Sequence, residues 1–255
     1  MEGLDCWRTA PLTPSFQHVI NTVESGVRLP SLSSMTADGE LLVQDLADWG
    51  WPAPAGVMIR HAERHVIPSA EEIDHVELTA AGRVAARNLG GRLAHYSELR
   101  VLHSPAVRCE QTGTSIAAGA AEGGAHVLGV RRENLLGGSY AIDRKRALAR
   151  ADELGSRFLR LWFSDELEPG LMRPLADSLR EHVDLVRTGL ETTTSGRLLT
   201  VYVTHDWNIS VVREGLLGVR NEEAGWPEYL DGVSFALVSG HMQSRFRKSV
   251  RSVAP

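Results

Sequence analysis

Three short aliphatic runs constrain the fold of this chain more than any other feature: Val57-Met58-Ile59, Leu99-Arg100-Val101-Leu102-His103 and Leu198-Leu199-Thr200-Val201-Tyr202-Val203-Thr204. Each is largely apolar and carries β-branched side chains, the pattern of a strand buried on both faces. Longer stretches of helical periodicity separate them. Strand and helix units that alternate in this way build a mostly parallel sheet covered on both faces. The expected fold class is therefore α/β, a three-layer α/β/α sandwich with a mostly parallel central sheet.

Local signals place the other elements. A helix is expected at 40–49, with Leu41, Leu42, Leu46 and Trp49 on one face, and Trp51-Pro52-Ala53-Pro54-Ala55-Gly56 reads as a linker into the first strand. Thr79 suits an N-cap, followed by Ala81, Val84, Ala85, Leu89, Leu93 and Tyr96 on one helical face. Gly82, Gly90 and Gly91 each weaken that helix by roughly 1 kcal/mol relative to Ala, which points to close packing as their use. Ser104 and Pro105 fit N-cap and N1 of the next helix, which puts Arg108 in its first turn. A further strand is expected at 125–130. Asp143 is expected to cap a helix carrying Ala147, Ala151, Leu154, Phe158, Leu161 and Trp162. Leu175, Leu179, Val183, Val186 and Leu190 mark another. The helix carrying Ile209, Val212 and Leu216 stops at Gly218, and 233–238 is the last expected strand. The division that follows is an extension at 1–55 packing on or near the core, a core domain at 56–240, and a solvated basic tail at 241–255 holding Arg245, Arg247, Lys248 and Arg251.

The strand ends carry the chemistry. The first run delivers Arg60, His61 and Arg64, the second leads through His103 and Ser104 to Arg108, and the third ends in His205-Asp206. Strand ends of open α/β sheets are where such folds hold ligands. An imidazole between guanidiniums is disfavoured as a cation, which leaves a neutral ring nitrogen, a nucleophile, facing groups suited to phosphate. Arg108 near a helix N-terminus adds to the same preference for an anion. The reading is an in-line attack by His61 on a phosphomonoester. Arg60, Arg64 and Arg108 neutralise the phosphoryl oxygens, and His205 hydrogen-bonds one of them. Arginines then take the place of a metal, in keeping with the lack of any H-E-x-x-H or C-x-x-C spacing. No metal and no cofactor are expected.

Composition excludes other classes. A net charge of −5 with no basic face argues against nucleic-acid partners. No apolar run is long enough to span a membrane, and the acidic start has no leader-like apolar stretch, so the expectation is a cytoplasmic protein without a membrane partner. Cys6 and Cys109 suggest neither a disulfide framework nor a metal site. Gly137-Gly138-Ser139-Tyr140-Ala141 is close to a serine-hydrolase elbow, but its last residue is not Gly and the arginines would be left without a role.

Arg60-His61-Ala62-Glu63-Arg64 resembles the Arg-His-Gly-x-Arg signature of the histidine phosphatase superfamily, the phosphoglycerate mutase and acid phosphatase clan. Ser104-Pro105-x-x-Arg108 is similar to its second arginine motif, and His205-Asp206 to the His-Asp pair of its acid-phosphatase branch. The resemblance runs from about Gly56 to Val238. It implies a phosphoglycerate mutase-like fold, a His61 nucleophile and a pocket of Arg60, Arg64, Arg108 and His205. Ala62 stands where the family has glycine, which narrows the backbone freedom of the turn. Two carboxylates compete as proton donor. Asp206 adjoins a pocket histidine, and Glu133 lies in Arg132-Glu133-Asn134-Leu135-Leu136-Gly137-Gly138, a segment resembling the donor-bearing one of the mutase branch. Asp206 is preferred. The expected function is metal-independent hydrolysis of a small phosphorylated metabolite. A phosphomutase, or a non-catalytic module that binds a phosphorylated ligand, would use the same pocket. Trp207, Trp226 and Tyr229 either flank the leaving group or pack locally.

Overall fold

The computed structural model describes residues 39–193 and 197–253; most of the expected N-terminal extension, with Cys6, lies outside the described residues. Seven strands, β1 (Ala55–Arg60), β2 (Glu98–His103), β3 (His126–Arg132), β4 (Leu198–Thr204), β5 (Gly232–Val238), β6 (His241–Phe246) and β7 (Ser249–Ser252), form one sheet in the order β3-β2-β4-β1-β5-β6-β7. The four strands from β3 to β1 run parallel. The three beyond them pair antiparallel. Among the described residues, eight helices flank the sheet: α1 (Glu40–Asp48), α2 (Ala80–Leu93), α3 (Val107–Glu122), α4 (Arg144–Leu154), α5 (Arg157–Phe163), α6 (Leu175–Glu191), α7 (Asp206–Leu217) and the single turn α8 (Asn221–Ala224).

Strands β1 and β4 are buried along their whole length, as their largely apolar sequences favour. Alternate side chains serve opposite layers. Val57, Ile59, Val201 and Val203 join a core with Leu42 and Leu46 of α1, Leu89 and Leu93 of α2, and Ile116 of α3. Met58 and Tyr202 point the other way, among Val183 and Val186 of α6 and Ile209 and Val212 of α7. A third cluster, built on Tyr140, Phe158, Trp162 and Leu171, joins α4 and α5 to Val211 of α7. Among the described residues, no helix is long and apolar enough to cross a membrane.

Capping behaves as the sequence indicates at several ends. The Thr79 hydroxyl accepts from Gly82 N at 2.9 Å, Asp143 accepts from Arg146 N at 3.1 Å, and Gly218 ends α7 in the left-handed region at φ 71°. Elsewhere the structure corrects the expectations. Within the expected solvated tail at 241–255, residues 241–252 are not solvated chain: β6 and β7 extend the sheet, and Arg247 bridges Asp45 at 2.8 Å and Asp231 at 2.7 Å. The expected helix with Ala147 to Trp162 on one face breaks at Gly155 (φ 57°) into α4 and α5. Helix α3 begins at Val107 with Ala106, not Ser104, as N-cap; the Ser104 hydroxyl meets His205 Nε2 at 2.8 Å and the Ala106 amide at 3.4 Å. The buried face of α2 is Gly82, Ala86, Leu89, Gly90 and Leu93, and Val84 is exposed.

That rotation of α2 follows from its glycines. A Cβ at Gly90 would lie 2.0 Å from the Ile116 carbonyl oxygen of α3, and one at Gly82 would lie 2.1 Å from that of Glu63. Backbone meets backbone there, so the helices cannot shift cheaply. Gly90→Ala is expected to destabilise by about 2 kcal/mol or more, despite the roughly 1 kcal/mol that Ala gains in helix propensity. Gly91→Ala, whose Cβ would meet nothing nearer than 3.8 Å, should be neutral or stabilising. Urea unfolding of the two variants checks the contrast; equal effects would sink the packing argument.

Candidate active site

Strand pairing brings the two histidines together. The parallel register of β1 and β4 ends at Arg60 opposite Thr204, so His61 and His205 leave neighbouring strand ends side by side. The His61 amide donates to the Thr204 carbonyl at 2.9 Å. The imidazole centroids are 5.7 Å apart, with the rings inclined at 69°. On the far side of β4, β2 ends with His103 opposite Val203, and the Ser104 amide donates to the Val203 carbonyl at 2.9 Å. From there the chain turns into α3, whose first turn carries Arg108. Three adjacent parallel strands thus deliver their polar ends to one place.

Hydrogen bonds set the state of each ring. The His61 Nδ1–H donates to the Ala62 carbonyl at 2.8 Å, which leaves Nε2 as the nitrogen with the lone pair. At His205, Nδ1 accepts from Arg108 Nη2 at 3.0 Å. A neutral imidazole has a single acceptor nitrogen, so His205 Nε2–H donates to Ser104 Oγ at 2.8 Å. Burial pushes both histidines well below the ordinary imidazole value, and the cations of Arg108 and Arg60 push them the same way. Both rings are uncharged at neutral pH. Burial likewise pushes the Cys109 thiol up to about 12, which leaves it inert beside His205.

The guanidiniums are nearly inaccessible: Arg60, Arg64 and Arg108 are 2%, 7% and 5% exposed. Arg64 and Arg108 line the same cleft as His61, His205 and Asp206. Arg64 donates to the His65 carbonyl at 2.8 Å, and Arg108 donates to the Ile73 carbonyl. Arg60 is not on the cleft wall. It donates to the Pro227 carbonyl at 2.8 Å, lies 4.2 Å over the Tyr229 ring and approaches Asp206 at 3.4 Å. Asp206 accepts from its neighbour's amide, Trp207 N, at 2.9 Å and from the Trp226 indole at 3.1 Å. Glu133 is not among the residues that line the cleft; its carboxylate accepts from Leu135 N at 3.0 Å and starts the short turn Asn134–Gly137. Ser139 is exposed and also outside the cleft lining.

Several participants were not legible in the sequence. Thr112 accepts from the Ala62 amide at 3.0 Å and donates to the Arg108 carbonyl at 2.7 Å, tying the turn after β1 to α3. Ser104 reads as a helix cap in sequence, yet its hydroxyl serves His205. Arg144, at the start of α4, lines the cleft and forks onto Asp74 at 2.6 and 2.7 Å. The Ser-Pro spacing before Arg108 was a signal for Ser104; Thr112 and Arg144 carried none. Among the described residues, no group of three or more His, Cys, Asp or Glu could hold a metal ion. The arrangement can bind an anion and present an unprotonated imidazole to it.

Two buried imidazoles with lowered pKa have a sign that can be checked. The unfolded chain takes up protons near pH 6.5 and the folded one does not, so this contribution to stability is complete above that value and is lost as pH falls below it. The thermal midpoint is expected to decline on acidification from pH 6.5. Replacing His205 with Asn should flatten that decline; an unchanged slope would mean that other groups cause it.

Comparison with known proteins agrees with this layout. The model of the histidine phosphatase superfamily (branch 1) matches residues 57–239. None of the curated proteins matches in sequence. Among solved structures, Mycobacterial hydrolase 1 is 20% identical with a TM-score of 0.53, over 79% of this chain and 96% of that one. The mycobacterial glucosyl-3-phosphoglycerate phosphatase complexed with VO3 is 21% identical with a TM-score of 0.53, over 76% and 96%. Bacillus stearothermophilus YhfR is 15% identical with a TM-score of 0.50, over 77% and 98%. At these identities the likeness is one of fold, and the fold is the phosphoglycerate mutase-like one.

Proposed function

Because the chain belongs to the histidine phosphatase superfamily, we propose that it hydrolyses a phosphomonoester of a small metabolite through a phosphohistidine at His61, without a metal ion. The observation that carries this reading is an uncharged His61, its Nδ1–H held by the Ala62 carbonyl, on the wall of a cleft shared with buried Arg64 and Arg108. A phosphomonoester carries about −1.5 to −2 charges at neutral pH, which these guanidiniums neutralise.

The His61 Nε2 lone pair attacks phosphorus as the bond to the leaving oxygen breaks. Arg64 and Arg108 hold the equatorial oxygens, and Arg60 adds its charge from behind the wall. An incoming phosphoryl oxygen competes with Ser104 for the His205 Nε2–H. Asp206 is the general acid that passes a proton to the departing alkoxide as the P–O bond breaks. In the second half, the Asp206 carboxylate takes a proton from water, whose oxygen attacks phosphorus. The P–N bond then breaks, its electron pair returns to Nε2, and inorganic phosphate leaves.

The test is phosphate release in the presence of EDTA, from one alkyl ester and one nitrophenyl ester. Turnover should persist with the chelator present. Asp206→Asn is expected to lower kcat about 100-fold for the alkyl ester, whose leaving oxygen needs a proton, and far less for the nitrophenyl ester. Glu133→Gln should leave both within about twofold of wild type, since that carboxylate caps a turn and can be spared at little cost. If Glu133→Gln shows the leaving-group-dependent loss and Asp206→Asn does not, the donor assignment is wrong. Activity abolished by EDTA and restored by metal would overturn the mechanism.

A further inference from the structure

The cleft continues well past the histidines. It is open to solvent, with a cavity volume of about 140 Å³, and its lining runs from the histidines to α4 and α5. Its far wall comes from α4 and α5, where Leu148, Ala151, Asp152, Phe158 and Leu159 line it together with Trp207 of α7. Trp207 stacks on Phe158, with centroids 5.0 Å apart and planes at 27°, and packs against Tyr140 at 6.2 Å. This wall is fixed by the aromatic cluster that joins α4 and α5 to the core. Arg144, the cation at this end, is already forked onto Asp74.

Such a surface favours one kind of leaving group. Each hydroxyl of a sugar or polyol buried here would need its own hydrogen-bond partner, and beyond the Asp152 carboxylate this wall offers aliphatic and aromatic carbon. An apolar ring gains instead by leaving water, and flat rings pack well on Trp and Phe faces. We propose that the substrate is the phosphomonoester of an apolar, ring-bearing alcohol, with the ring against Leu148 and Trp207, which Phe158 backs from within the core, and the phosphoryl group at His61. This rests on the functional reading above, in that the phosphoryl group is taken to sit at the histidines.

Binding and turnover separate the two ideas. The affinity of the wild-type protein is measured for two non-hydrolysable probes, 2-naphthylmethylphosphonate and 2,3-dihydroxypropylphosphonate. The ring phosphonate is expected to bind about tenfold or more tighter. Leu148→Asp, a change at a half-buried position of α4 that spares the core, should cut that ratio at least about fivefold. Equal affinities, or a preference for the dihydroxy probe, would overturn the proposal, as would a ratio untouched by Leu148→Asp in a folded variant. Phosphate release is then assayed from 2-(2-naphthyl)ethyl phosphate and glycerol 3-phosphate, two esters of aliphatic alcohols. Preferential hydrolysis of the first supports the proposal. Tight ring binding with release from neither ester would leave the leaving-group assignment standing and overturn hydrolysis.

Discussion

Replacing His61 with alanine is expected to lower kcat on the order of 10⁴-fold or more, because the other imidazole on the cleft, His205, has its lone pair bound to Arg108. Cys109 is protonated and buried, and Ser139 lies outside the cleft lining. The fold should survive the change. His61 contributes one side-chain hydrogen bond, to the Ala62 carbonyl, worth about 1 kcal/mol. The loop itself is held by backbone: His61 N on the Thr204 carbonyl and Ala62 N on Thr112. Near-wild-type circular dichroism with abolished phosphate release is therefore the expected pair of results. Rapid quench of the wild-type enzyme with a labelled ester should trap phosphate in an acid-labile, base-stable linkage, the behaviour of a P–N bond, and the variant should trap none. Label stable to acid, or label that maps to Ser139, would be incompatible with a histidine nucleophile.

Arg108→Ala should produce the second largest effect, a fall in kcat/KM of about 10²–10³-fold. This guanidinium is 5% exposed, sits in the first turn of α3 and donates to His205 Nδ1 at 3.0 Å. On the proposed reading its removal takes away a phosphate ligand, and it also takes away the bond that holds His205 in one tautomer. A second readout separates lost binding from general damage. Vanadate binding to the wild-type protein should raise its stability by about 2.7 kcal/mol at a hundred times the dissociation constant. At the same vanadate concentration the variant should gain almost nothing, while its own unfolding stays cooperative. Equal stabilisation of both proteins by vanadate would remove Arg108 from the phosphate site.

The residues of the candidate cleft were legible in the sequence where they follow a strand end. Arg60, His61, Arg64, Arg108, His205 and Asp206 all follow short apolar runs, and a parallel sheet gathers such ends on one edge. Arg60 shows where that argument stops. It has the right type and position, yet its side chain turns to the Pro227 carbonyl and the Tyr229 ring, contacts from a segment more than 160 positions away in sequence (roughly that separation in the chain). The basic cluster near the C-terminus misled for the same reason. Arg247 looks like a solvated cation until its partners Asp45 and Asp231 are known, and both come from distant elements.

Local pattern and chemistry, which depend on neighbours in the chain, determined the alternation of strands and helices, the caps at Thr79, Asp143 and Gly218, and the residue types of an anion site. Tertiary structure alone decided which face of α2 is buried, since Gly90 and Gly82 are read only against the carbonyls they meet. It also decided that 241–252 belongs to the sheet, and that Asp206 rather than Glu133 borders the cleft. Periodicity is written along one chain, whereas a carbonyl, a carboxylate or a neighbouring strand that completes a contact arrives from elsewhere, and its arrival is a property of the packed whole.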